Sequence, residues 1–472
     1  MRACSVFLAS ALALAPLAAR PVTPAAVLAP PADIRLAHEI FRELVDINST
    51  HARGTLAAAE VIRKRLLAAG FVPSELSLLA PAEYPRSANL VVRYRGTHPG
   101  PGVLFLGHLD VVDAKAEDWS LDPFRYTEQD GWIYGRGAID MKDDDAALVA
   151  ALIRLRREHY VPARDLVFAF TADEEAGGDA NGPAFLLRNH RDLIDAKIAV
   201  NLDGDGGAIE NGNRSYFEFG TSEKTYLTFT LETTSPGGHG SLPGPDNAIY
   251  RLADGLARIE AYRFPVMVTA TTREGFRQLA KLRQGDQARD MAAVAATPTD
   301  LAAADRLSGT VRFNATLRTT CVATLIQGGH AENALPQRAR ATIQCRMMPG
   351  DTADAVQAQL TRVLNDPAIR ISLDAAPIVS PESPPTPALL ARVAGVIHSL
   401  WPGVAIVPTM ATGFSDDRQT RNAGIPSYDL SGIWMEADEN RAHGRDERVS
   451  VQAFDEEIEY VYRLVREFGK AE

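Results

Sequence analysis

The sequence is poor in cysteine and lacks any concentration of positive charge. The chain of 472 residues has three cysteines. Cys4 precedes an apolar N-terminal run, so an exported chain would keep two, too few for a disulfide scaffold. The net charge is −11 and no lysine- or arginine-rich tract occurs, which argues against nucleic acid as a partner. No later segment reaches about 18 consecutive apolar residues, so no stable membrane insertion is expected.

The N-terminus has the pattern of a secretory signal. Arg2 precedes the apolar run Val6–Leu17, and the small residues Ala18 and Ala19 follow. We therefore predict that residues 1–26 are a cleavable signal peptide and the start of a proline- and alanine-rich tether. The mature protein would then be secreted or periplasmic. The alternative is an N-terminal anchor that is never cleaved.

Two kinds of pattern divide the rest of the chain. Over 33–220, short apolar runs alternate with amphipathic helical segments, which predicts an α/β domain with a largely parallel, buried sheet. Over 221–380, two helical segments occur among strands of alternating polarity, which predicts a smaller α+β domain. The α/β pattern resumes over 381–472. The sequence therefore favours one α/β domain interrupted by an insertion, and two domains fit the length.

The two remaining cysteines, Cys321 and Cys345, occupy apolar segments that a polar loop joins. The pattern is typical of a β-hairpin. If the hairpin forms, the two side chains could face each other and bridge. The sequence leaves open whether they form a disulfide or remain two buried thiols.

Three predicted strands end in side chains that bind metals or transfer protons. They are the ends of "VLFLGHLD" with His108 and Asp110, "LVFAFTADEE" with Glu174 and Glu175, and "IAVNLDGD" with Asp203 and Asp205. Because the carboxyl ends of parallel strands meet at one edge of a sheet, we expect these groups to lie close together. Asp140, just before a predicted helix, could reach the same edge. Several carboxylates repel each other unless a cation neutralises them, and a mixed His/Asp/Glu set suits zinc, manganese or cobalt.

The acidic triplet Asp143–Asp145 has a simpler explanation. It falls in the first turn of the predicted helix, where the helix dipole favours negative charge. We assign the triplet no role in metal binding.

Seven separated motifs occur in the order typical of one protein family. They are "GHLDVV…DW…DPF…DGWIYGRGAIDMK", "TADEE", "NLDGD", "GGHGSLPGPDNA", "ENALP…CR", "GFSDD…GIP" and "AHGRDER". The chain resembles the di-zinc exopeptidases and amidohydrolases that include glutamate carboxypeptidase, aminoacylase, peptidase T and succinyl-diaminopimelate desuccinylase. The resemblance covers nearly all of the chain after Asp33. In place of the glycine that many relatives have after the DMK motif, this chain has the acidic triplet.

The resemblance implies two divalent metal ions, Zn²⁺ in the first place and Co²⁺ or Mn²⁺ as alternatives. His108 and Asp203 would bind one ion. Glu175 and His443 would bind the other, and Asp140 would bridge the two.

Two further carboxylates would serve this centre without binding metal. Asp110 would orient His108, and Glu174 would be the general base. The resemblance also implies a cis peptide bond between Asp140 and Met141, a conformation that persists only where the surrounding structure enforces it.

The inserted domain would be the lid and dimerisation domain of this family, so we expect a homodimer. His239 would reach the active site of the other subunit and polarise the scissile carbonyl, although a glycine-flanked histidine is often a surface residue. Asn333 and Arg346 would hold the substrate's carboxylate, or Arg346 is an ordinary cation on a strand. The polar, helical stretch Phe276–Leu307 looks longer than the minimal lid, and the sequence gives it no role.

The predicted function follows from this centre and its lid. We expect an exported zinc-dependent exopeptidase, of carboxypeptidase or dipeptidase type, that hydrolyses an amide bond next to a free carboxylate. A deacylase of N-acyl amino acids would use the same groups and is the first alternative. The second alternative is a non-catalytic relative that binds metal or peptide.

Overall fold

A computed structural model describes residues 27–98, 100–204, 206–436 and 439–471. The predicted signal peptide, residues 1–26, and Asp205 lie outside these ranges. Within them, the structure has no helix with both the length and the apolar character needed to cross a membrane.

The helices have these bounds: α1 (Pro31–Val45), α2 (Leu56–Ala68), α3 (Lys142–Arg157), α4 (Gly182–Asn189), α5 (Arg191–Ile194), α6 (Ala248–Ala261), α7 (Ala270–Leu282), α8 (Gly285–Ala295), α9 (Leu301–Leu307), α10 (Val311–Leu317), α11 (Ala353–Leu364), α12 (Pro387–Leu400), α13 (Asp417–Asn422) and α14 (Val451–Phe468).

The strands have these bounds: β1 (Leu76–Leu79), β2 (Asn89–Tyr94), β3 (Gly102–His108), β4 (Thr127–Gln129), β5 (Trp132–Tyr134), β6 (Leu166–Thr171), β7 (Ala196–Asn201), β8 (Gly207–Glu210), β9 (Asn213–Glu223), β10 (Thr225–Thr234), β11 (Gly238–His239), β12 (Thr320–Gly328), β13 (Ala334–Leu335), β14 (Arg338–Met347), β15 (Arg370–Leu373), β16 (Ala405–Ala411), β17 (Ser427–Asp429), β18 (Trp434–Glu436) and β19 (Arg448–Ser450).

The main sheet has the order β1-β2-β6-β3-β7-β17-β9-β8-β18, and β16 also pairs with β9. At its centre, β3 runs parallel to both β6 and β7, and β17 runs parallel to β7. Every residue of β3 and β6 is buried, as expected for strands with helices on both faces. The predicted α/β class with a largely parallel sheet is confirmed. Strands from both 33–220 and 381–472 belong to this sheet.

A second sheet, β12-β14-β10-β15, is formed within residues 225–373. Helices α6 and α11 cover it and share a separate core that includes Leu227, Phe229, Ile343 and Leu360. This is the α+β layout expected of the inserted domain. The exact domain boundaries stay a prediction.

A short helix directly precedes the strand that carries Cys321. Residues Val311–Leu317 form helix α10, and β12 begins at Thr320. The buried ammonium group of Lys224 lies 2.9 Å from the carbonyl oxygen of Ala315 and 2.8 Å from that of Arg318. Lys224 thus satisfies carbonyl groups at the end of the helix, where intrahelical partners are missing.

The hairpin-like pairing of the two cysteine segments is confirmed. Cys321 on β12 lies directly opposite Cys345 on β14. Their sulfur atoms are bonded at 1.98 Å, so the structure has the disulfide rather than two thiols.

The stretch Phe276–Leu307 is helical, as expected, and falls within a longer run of four helices, α7 to α10. This run folds back from the inserted domain onto the main sheet. A side-chain carbon at Gly275 would lie 2.6 Å from the carbonyl oxygen of Pro408, so α7 packs directly on β16. We call the four helices and their connections, residues 264–318, the helical segment.

Candidate metal centre

Three neighbouring parallel strands deliver the predicted metal-binding groups to one edge of the main sheet. His108 ends β3, Glu174 and Glu175 follow β6, and Asp203 follows β7. The Nε2 atom of His108 lies 3.1 Å from Oδ1 of Asp140 and 3.9 Å from Oδ1 of Asp203. The structure therefore brings these groups together as strand topology predicts.

The turn after β6 is shaped by Asp173, which the sequence left without a role. Asp173 has a left-handed φ of 56°, and its carboxylate Oδ1 lies 2.9 Å from Nδ1 of His51. The carboxylate oxygens of Asp110 accept hydrogen bonds from the main-chain N–H groups of Glu174 and Glu175, each at 3.1 Å. The acidic pair is thus presented by a turn that two other aspartates hold.

Asp110 contacts His108 mainly through its main chain. Nδ1 of His108 lies 3.0 Å from the carbonyl oxygen of Asp110 and 3.9 Å from its carboxylate. Burial raises the pKa of the Asp110 carboxyl to about 7, and the nearby His108 opposes that rise. The Asp110 carboxylate holds the Glu174–Glu175 turn, while its carbonyl faces the histidine.

His443 reaches the same edge from the C-terminal part of the chain. Its Nε2 atom lies 3.0 Å from Oδ2 of Asp140 and 3.0 Å from Oε2 of Glu175. Hydrogen bonding to Asp140 and Glu175 raises the pKa of His443 to about 10. The two oxygens of Asp140 thus face different histidines, an arrangement suited to bridging two cations.

The pKa values of the other titratable groups in the cluster also depend on their neighbours. Burial opposes a charge on His108, but Asp140 and Asp203 outweigh it and raise its pKa well above the usual value. Burial likewise opposes ionisation of Asp140, yet His108 and His443 lower its pKa. Burial raises the pKa of Asp203 well above its usual range, with His108 opposing.

Hydrogen bonds hold the loop that carries Asp140 in place before and after that residue. The peptide bond between Asp140 and Met141 is cis, which confirms the expectation. The N–H of Ile139 donates to Glu447 Oε1 at 3.0 Å, and Glu447 in turn pairs with the buried Arg136. Lys142 donates to the carbonyl oxygens at the end of α1.

Glu174 is the buried member of the acidic pair. It is 4% exposed, and its Oε1 atom has no hydrogen-bond partner among the described residues. Burial raises its pKa well above the usual value; His108 opposes this, while Asp416 and Glu175 add to it. A carboxylate with a raised pKa and a free oxygen is suited to taking up a proton near neutral pH.

The residues present fit divalent metal ions. Among the described residues, His108, Glu174 and Asp203 form one group, and His108, Asp140 and Glu175 another, with ligand atoms in each within 4.8 Å of one another. Imidazole nitrogen combined with carboxylate oxygen suits zinc, manganese or cobalt. Crowded carboxylates also need a cation to offset their repulsion. Distance alone places Glu174 near enough to be either ligand or base, so its assignment as base stays a prediction.

The lid residues predicted to bind substrate lie in two places. His239 and Asn333 meet on an exposed projection where β11 pairs with β13, and the N–H of Gly240 donates to the carbonyl oxygen of Asn333 at 2.7 Å. Nδ1 of His239 lies 2.7 Å from Oγ of Ser241 in the same loop. Arg346, on β14, lies near enough to Glu174 for that charge to act on its pKa.

An arginine that the sequence reasoning missed accompanies Arg346. The guanidinium carbons of Arg346 and Arg418 lie 5.2 Å and 4.0 Å from the ring centre of Phe414. Nη1 of Arg346 and Nε of Arg418 are buried without hydrogen-bond partners among the described residues. Burial lowers the pKa of Arg346, the adjacent Arg418 lowers it further, and Glu174 opposes the shift. The signal was present in the sequence, since Arg418 directly follows the "GFSDD" motif.

Known proteins are similar to this chain in sequence and in fold. The human (Homo sapiens) N-fatty-acyl-amino acid synthase/hydrolase is 27% identical over 374 residues, covering 77% of this chain and 73% of the relative. A succinyl-diaminopimelate desuccinylase from Methylobacterium radiotolerans is 29% identical over 439 residues, covering 90% of this chain and 93% of the relative. The solved structure of an M20 family metallo-carboxypeptidase from Sulfolobus solfataricus matches with a TM-score of 0.67 and 15% identity, covering 92% and 99% of the two chains.

The resemblance stated from the motifs is thereby confirmed. The family model described as peptidase family M20/M25/M40 matches residues 104–467. This span includes the five predicted metal ligands and Glu174, as well as Arg346 and Arg418. The chain belongs to peptidase family M20/M25/M40.

Proposed function

We propose that this protein hydrolyses an amide bond next to a free carboxylate, with Glu174 as general base and the cluster around His108 as its metal site. Membership of the family makes the chain a metal-dependent hydrolase of peptide or amide bonds. The single observation that carries the finer proposal is the arrangement at the sheet edge. There two histidines face opposite oxygens of Asp140, and one oxygen of the buried Glu174 has no hydrogen-bond partner among the residues that the structure describes.

Five side chains would hold two divalent ions. We assign His108 and Asp203 to one, Glu175 and His443 to the other, and Asp140 to both. A bound pair of divalent ions supplies polarisation of the amide carbonyl and a lowered pKa for water.

Glu174 performs the proton transfers in this proposal. Its carboxylate takes a proton from the attacking water and returns it to the leaving amine. The buried position of Glu174 supports this role because a raised pKa lets the carboxyl hold that proton between the two transfers. Asp110 keeps Glu174 and Glu175 in place through their main-chain N–H groups.

Arg346 and Arg418 form the proposed carboxylate-binding site. Their guanidinium groups lie on the same aromatic ring, Phe414, and each leaves a buried nitrogen without a partner among the described residues. A planar guanidinium matches a carboxylate in two parallel hydrogen bonds. Peptides and N-acyl amino acids both end in a free carboxylate. The printed names of two similar proteins, a metallo-carboxypeptidase and an N-fatty-acyl-amino acid synthase/hydrolase, correspond to these two kinds of substrate.

We also propose a homodimer formed through the inserted domain. Strand β12 is the outermost strand of the second sheet, and its Val322, Leu325 and Ile326 side chains are more than half exposed, at 56%, 63% and 62%. An unprotected apolar edge strand of this kind pairs readily with another chain. A two-fold dimer would cover this edge and would let His239 and Asn333, exposed here, act on the partner's substrate. Replacing Leu325 with Arg should convert dimer to monomer in sedimentation analysis.

The test of the function uses the zinc-loaded protein and a substrate panel. We expect hydrolysis of dipeptides or N-acyl amino acids with free carboxylates, and much slower hydrolysis of the same compounds as carboxamides. Equal rates for the acids and their amides would refute the carboxylate site. No hydrolysis of any member would favour the non-catalytic alternative. For export, the mass of the mature protein after expression with its own N-terminus shows whether the signal is cleaved.

A further inference from the structure

The helical segment belongs to the inserted domain by its place in the chain and to the main sheet by its packing. It begins at Phe264, which lies in the core of the inserted domain, and it ends directly before β12 of the second sheet. Between these ends it has a core of its own, which includes Phe276, Met291 and Leu317, while α7 packs on β16 of the main sheet. The segment therefore crosses the boundary between the two domains.

Direct packing joins the start of α7 to two strands of the main sheet. Oγ1 of Thr271 lies 2.8 Å from Oγ1 of Thr221 on β9, and both side chains are buried. One turn later, the close approach of Gly275 to Pro408 leaves no room for a side chain between α7 and β16. Movement of α7 away from the sheet would break a buried hydrogen bond and open a close-packed contact.

Two ion pairs join the segment to the main sheet where the packing is incomplete. A cavity of about 890 Å³ lies between the segment and strands β8, β9 and β16. Among the residues that line it, Arg312 of α10 pairs with Glu218 of β9, and Arg283, directly after α7, pairs with Glu210 of β8. Glu218 is 3% exposed, and removing the arginine from a buried carboxylate is strongly destabilising. The ion pairs thus take the place of side-chain packing on this part of the boundary.

Short stretches of chain connect the segment to both halves of the proposed carboxylate-binding site. Strand β12, which follows the segment, begins at Thr320, and Thr320 lies directly opposite Arg346 on β14. Strand β16, on which α7 packs, leads into the loop that carries Phe414 and then into Arg418 on α13. A displacement of the segment from β16 would therefore move Arg346 relative to Arg418.

Lys224 fixes the end of the segment beside Arg346. It is the residue between β9 and β10, where the chain passes from the main sheet to the second sheet. Its ammonium group donates to the carbonyl oxygens of Ala315 and Arg318 at the end of the segment and, at 3.2 Å, to Oγ1 of Thr320 on β12. The junction between the domains, the end of the segment and the start of β12 are thus held together at one point.

The two arginines of the carboxylate-binding site come from different domains and carry like charges. Arg346 belongs to the second sheet, whereas Arg418 lies on α13, between two strands of the main sheet. Burial and the charge of Arg418 both lower the pKa of Arg346, as expected for two cations that repel each other. This repulsion favours a wider separation of the domains until a carboxylate binds between the arginines.

The connections of the chain would permit such a separation. The chain enters the second sheet at Lys224 and returns to the main sheet over residues 374–386, which form neither helix nor strand. Connections of this kind are typical hinges between domains. The contacts of the helical segment with β9 and β16 oppose rotation about them, so they keep the like charges together before the substrate binds.

We infer that the helical segment positions Arg346 beside Arg418, and that Arg312 and Glu218 are its main positioning pair. The inference rests on the proposed function and adds to it residues that act through the two arginines. A site that is assembled in only a fraction of the molecules binds more weakly by that fraction. Release of the segment should therefore weaken binding of the carboxylate. The metal centre should keep its rate, because its predicted ligands all come from the main-sheet domain.

The test measures kcat and KM of the zinc-loaded protein for the fastest acid of the substrate panel and for its carboxamide. Arg312→Glu should raise KM for the acid by about tenfold, the value expected if the arginines then lie together in about a tenth of the molecules. The value of kcat should stay within about threefold, and the kinetics on the carboxamide should not change. Combining Arg312→Glu with Glu218→Arg exchanges the two charges and should restore KM to within about threefold of the wild type.

The matched control makes the same change of charge elsewhere in the helical segment. Arg289 pairs with Asp286 on the same helix, α8, and the two side chains are 73% and 87% exposed. Arg289→Glu should therefore leave KM for the acid unchanged. A rise in KM equal to that of Arg312→Glu would mean that the net charge of the segment acts on the substrate, and it would overturn the positioning role.

A second variant keeps the test decisive if Arg312→Glu fails to fold. Glu210, the partner of Arg283, is 38% exposed, so Arg283→Glu leaves a carboxylate that water can solvate. It should raise KM for the acid alone by about threefold, the effect of one partly exposed ion pair. Adding Glu210→Arg should reverse that rise.

The distance between the domains gives a readout that does not depend on turnover. Spin labels on Glu60→Cys of α2 and Arg370→Cys of β15 occupy exposed sites in the two domains, where the native side chains are 48% and 73% exposed. Labelled chains are diluted into unlabelled chains, so that only distances within one chain are measured. We expect a narrow distribution in the wild type and in the charge-exchanged variant, and a broader one in Arg312→Glu.

The outcomes distinguish this inference from the proposed function. Equal changes in KM for the acid and the carboxamide, or a distance distribution in Arg312→Glu as narrow as in the wild type, would overturn the positioning role while the proposed function stands. Absence of hydrolysis by the wild type, or equal wild-type rates on acids and carboxamides, would instead overturn the proposed function.

Discussion

Two sets of carboxylates in this protein have opposite surroundings. Asp140, Glu175 and Asp203 keep side-chain exposures of 17%, 10% and 20%, and each lies within 4 Å of a histidine nitrogen. The side chains of the triplet Asp143–Asp145 are at most 2% exposed. Neither metal-binding group found among the described residues includes them. The more deeply buried set is thus the one without metal-binding geometry.

The two sets differ in the directions in which their side chains point rather than in the number of their charges. Successive helical residues point about 100° apart, so the triplet in the first turn of α3 spreads over three environments. Burial raises the pKa of all three well above the usual range; Asp144 also faces Glu457, and Asp145 contacts the strand at Gly107. The edge carboxylates instead converge from three strands on two histidines. A convergent set suits a cation, whereas burial raises the pKa of each member of the divergent set and so favours its neutral, protonated form.

The largest expected effect is a loss of activity when a carboxylate at the sheet edge is replaced, but not when one of the triplet is replaced. Glu174→Gln should lower kcat by about 10²–10⁴-fold because the amide cannot take up the proton, while the metal content measured by mass spectrometry stays that of the wild type. Asp144→Asn is the matched control, because a protonated carboxyl and a carboxamide have nearly the same shape and both donate a hydrogen bond. It should keep kcat within a few-fold. Near wild-type turnover by Glu174→Gln would show that another group is the base.

The next effect is the response of activity and stability to metal removal, which should depend on the sheet-edge groups and not on the triplet. Removal of divalent ions with a chelator should abolish activity and lower the melting temperature, since a ligand at 100 times its Kd stabilises the folded state by about 2.7 kcal/mol. Zn²⁺, Co²⁺ or Mn²⁺ should restore both. His108→Ala should lose this response, and Asp143→Asn should keep it. A chelator response in Asp143→Asn as small as that of His108→Ala would place the triplet in the metal site.

The buried arginines also fall into two kinds, one paired within the protein and one with unpaired nitrogens among the described residues. Arg421 is neutralised by the protein, with Glu223 at 3.3 Å and Asp417 at 2.9 Å. By contrast, one nitrogen of Arg346 and one of Arg418 have no hydrogen-bond partner in the part of the chain that the structure describes. Arg418→Ala should raise KM for carboxylate substrates by about 10–100-fold, the loss of one charged hydrogen-bonding group, and leave carboxamide substrates unchanged. Arg421→Ala should act on stability instead, lowering the melting temperature because buried carboxylates lose their partner. A KM effect on acids and amides alike would contradict the carboxylate role of Arg418.

The sequence predicted those parts of the molecule that follow from local pattern. Apolar runs marked β3, β6 and β7, and parallel pairing then required that His108, Glu174 and Asp203 share an edge. The cysteine hairpin followed from two apolar segments, but bridging did not, because pairing register is set by the whole sheet. Helix-dipole reasoning placed the acidic triplet in the first turn correctly. It gave no hint of burial, which depends on α14 packing over α3.

Other features depend on contacts that no local pattern encodes. The helical segment was predicted as helix, yet its packing on β16 and the resulting cavity come from residues more than a hundred positions apart. Arg418 acquires its place beside Arg346 only when two domains meet. The reach of His239 into a partner depends on a second chain, and the ligand and base assignments depend on bound metal. Those assignments stay predictions.

The last prediction concerns the pH dependence of stability at the triplet. Burial raises the pKa of Glu457 to about 8, and the nearby Asp143 adds to the rise. The folded protein therefore holds a proton that the unfolded chain releases above its ordinary pKa of about 4.5. Since the folded state binds more protons in this window, the free energy of unfolding falls as pH rises from 4.5 to 8, by up to about 1.4 kcal/mol per pH unit for this group. Glu457→Gln should make that fall shallower.

Urea unfolding at pH 5, 6, 7 and 8 measures this slope. Chelator must be present throughout, because metal affinity itself changes with pH. Glu60→Gln is the control, since Glu60 lies on the exposed face of α2 with 48% of its side chain accessible, and its slope should equal that of the wild type. A Glu457→Gln slope as steep as that of the wild type would mean that the Asp144–Glu457 pair ionises normally in the folded protein. Neutralisation by protons would then fail as the explanation of the buried triplet, and a bound cation at α3 would have to replace it.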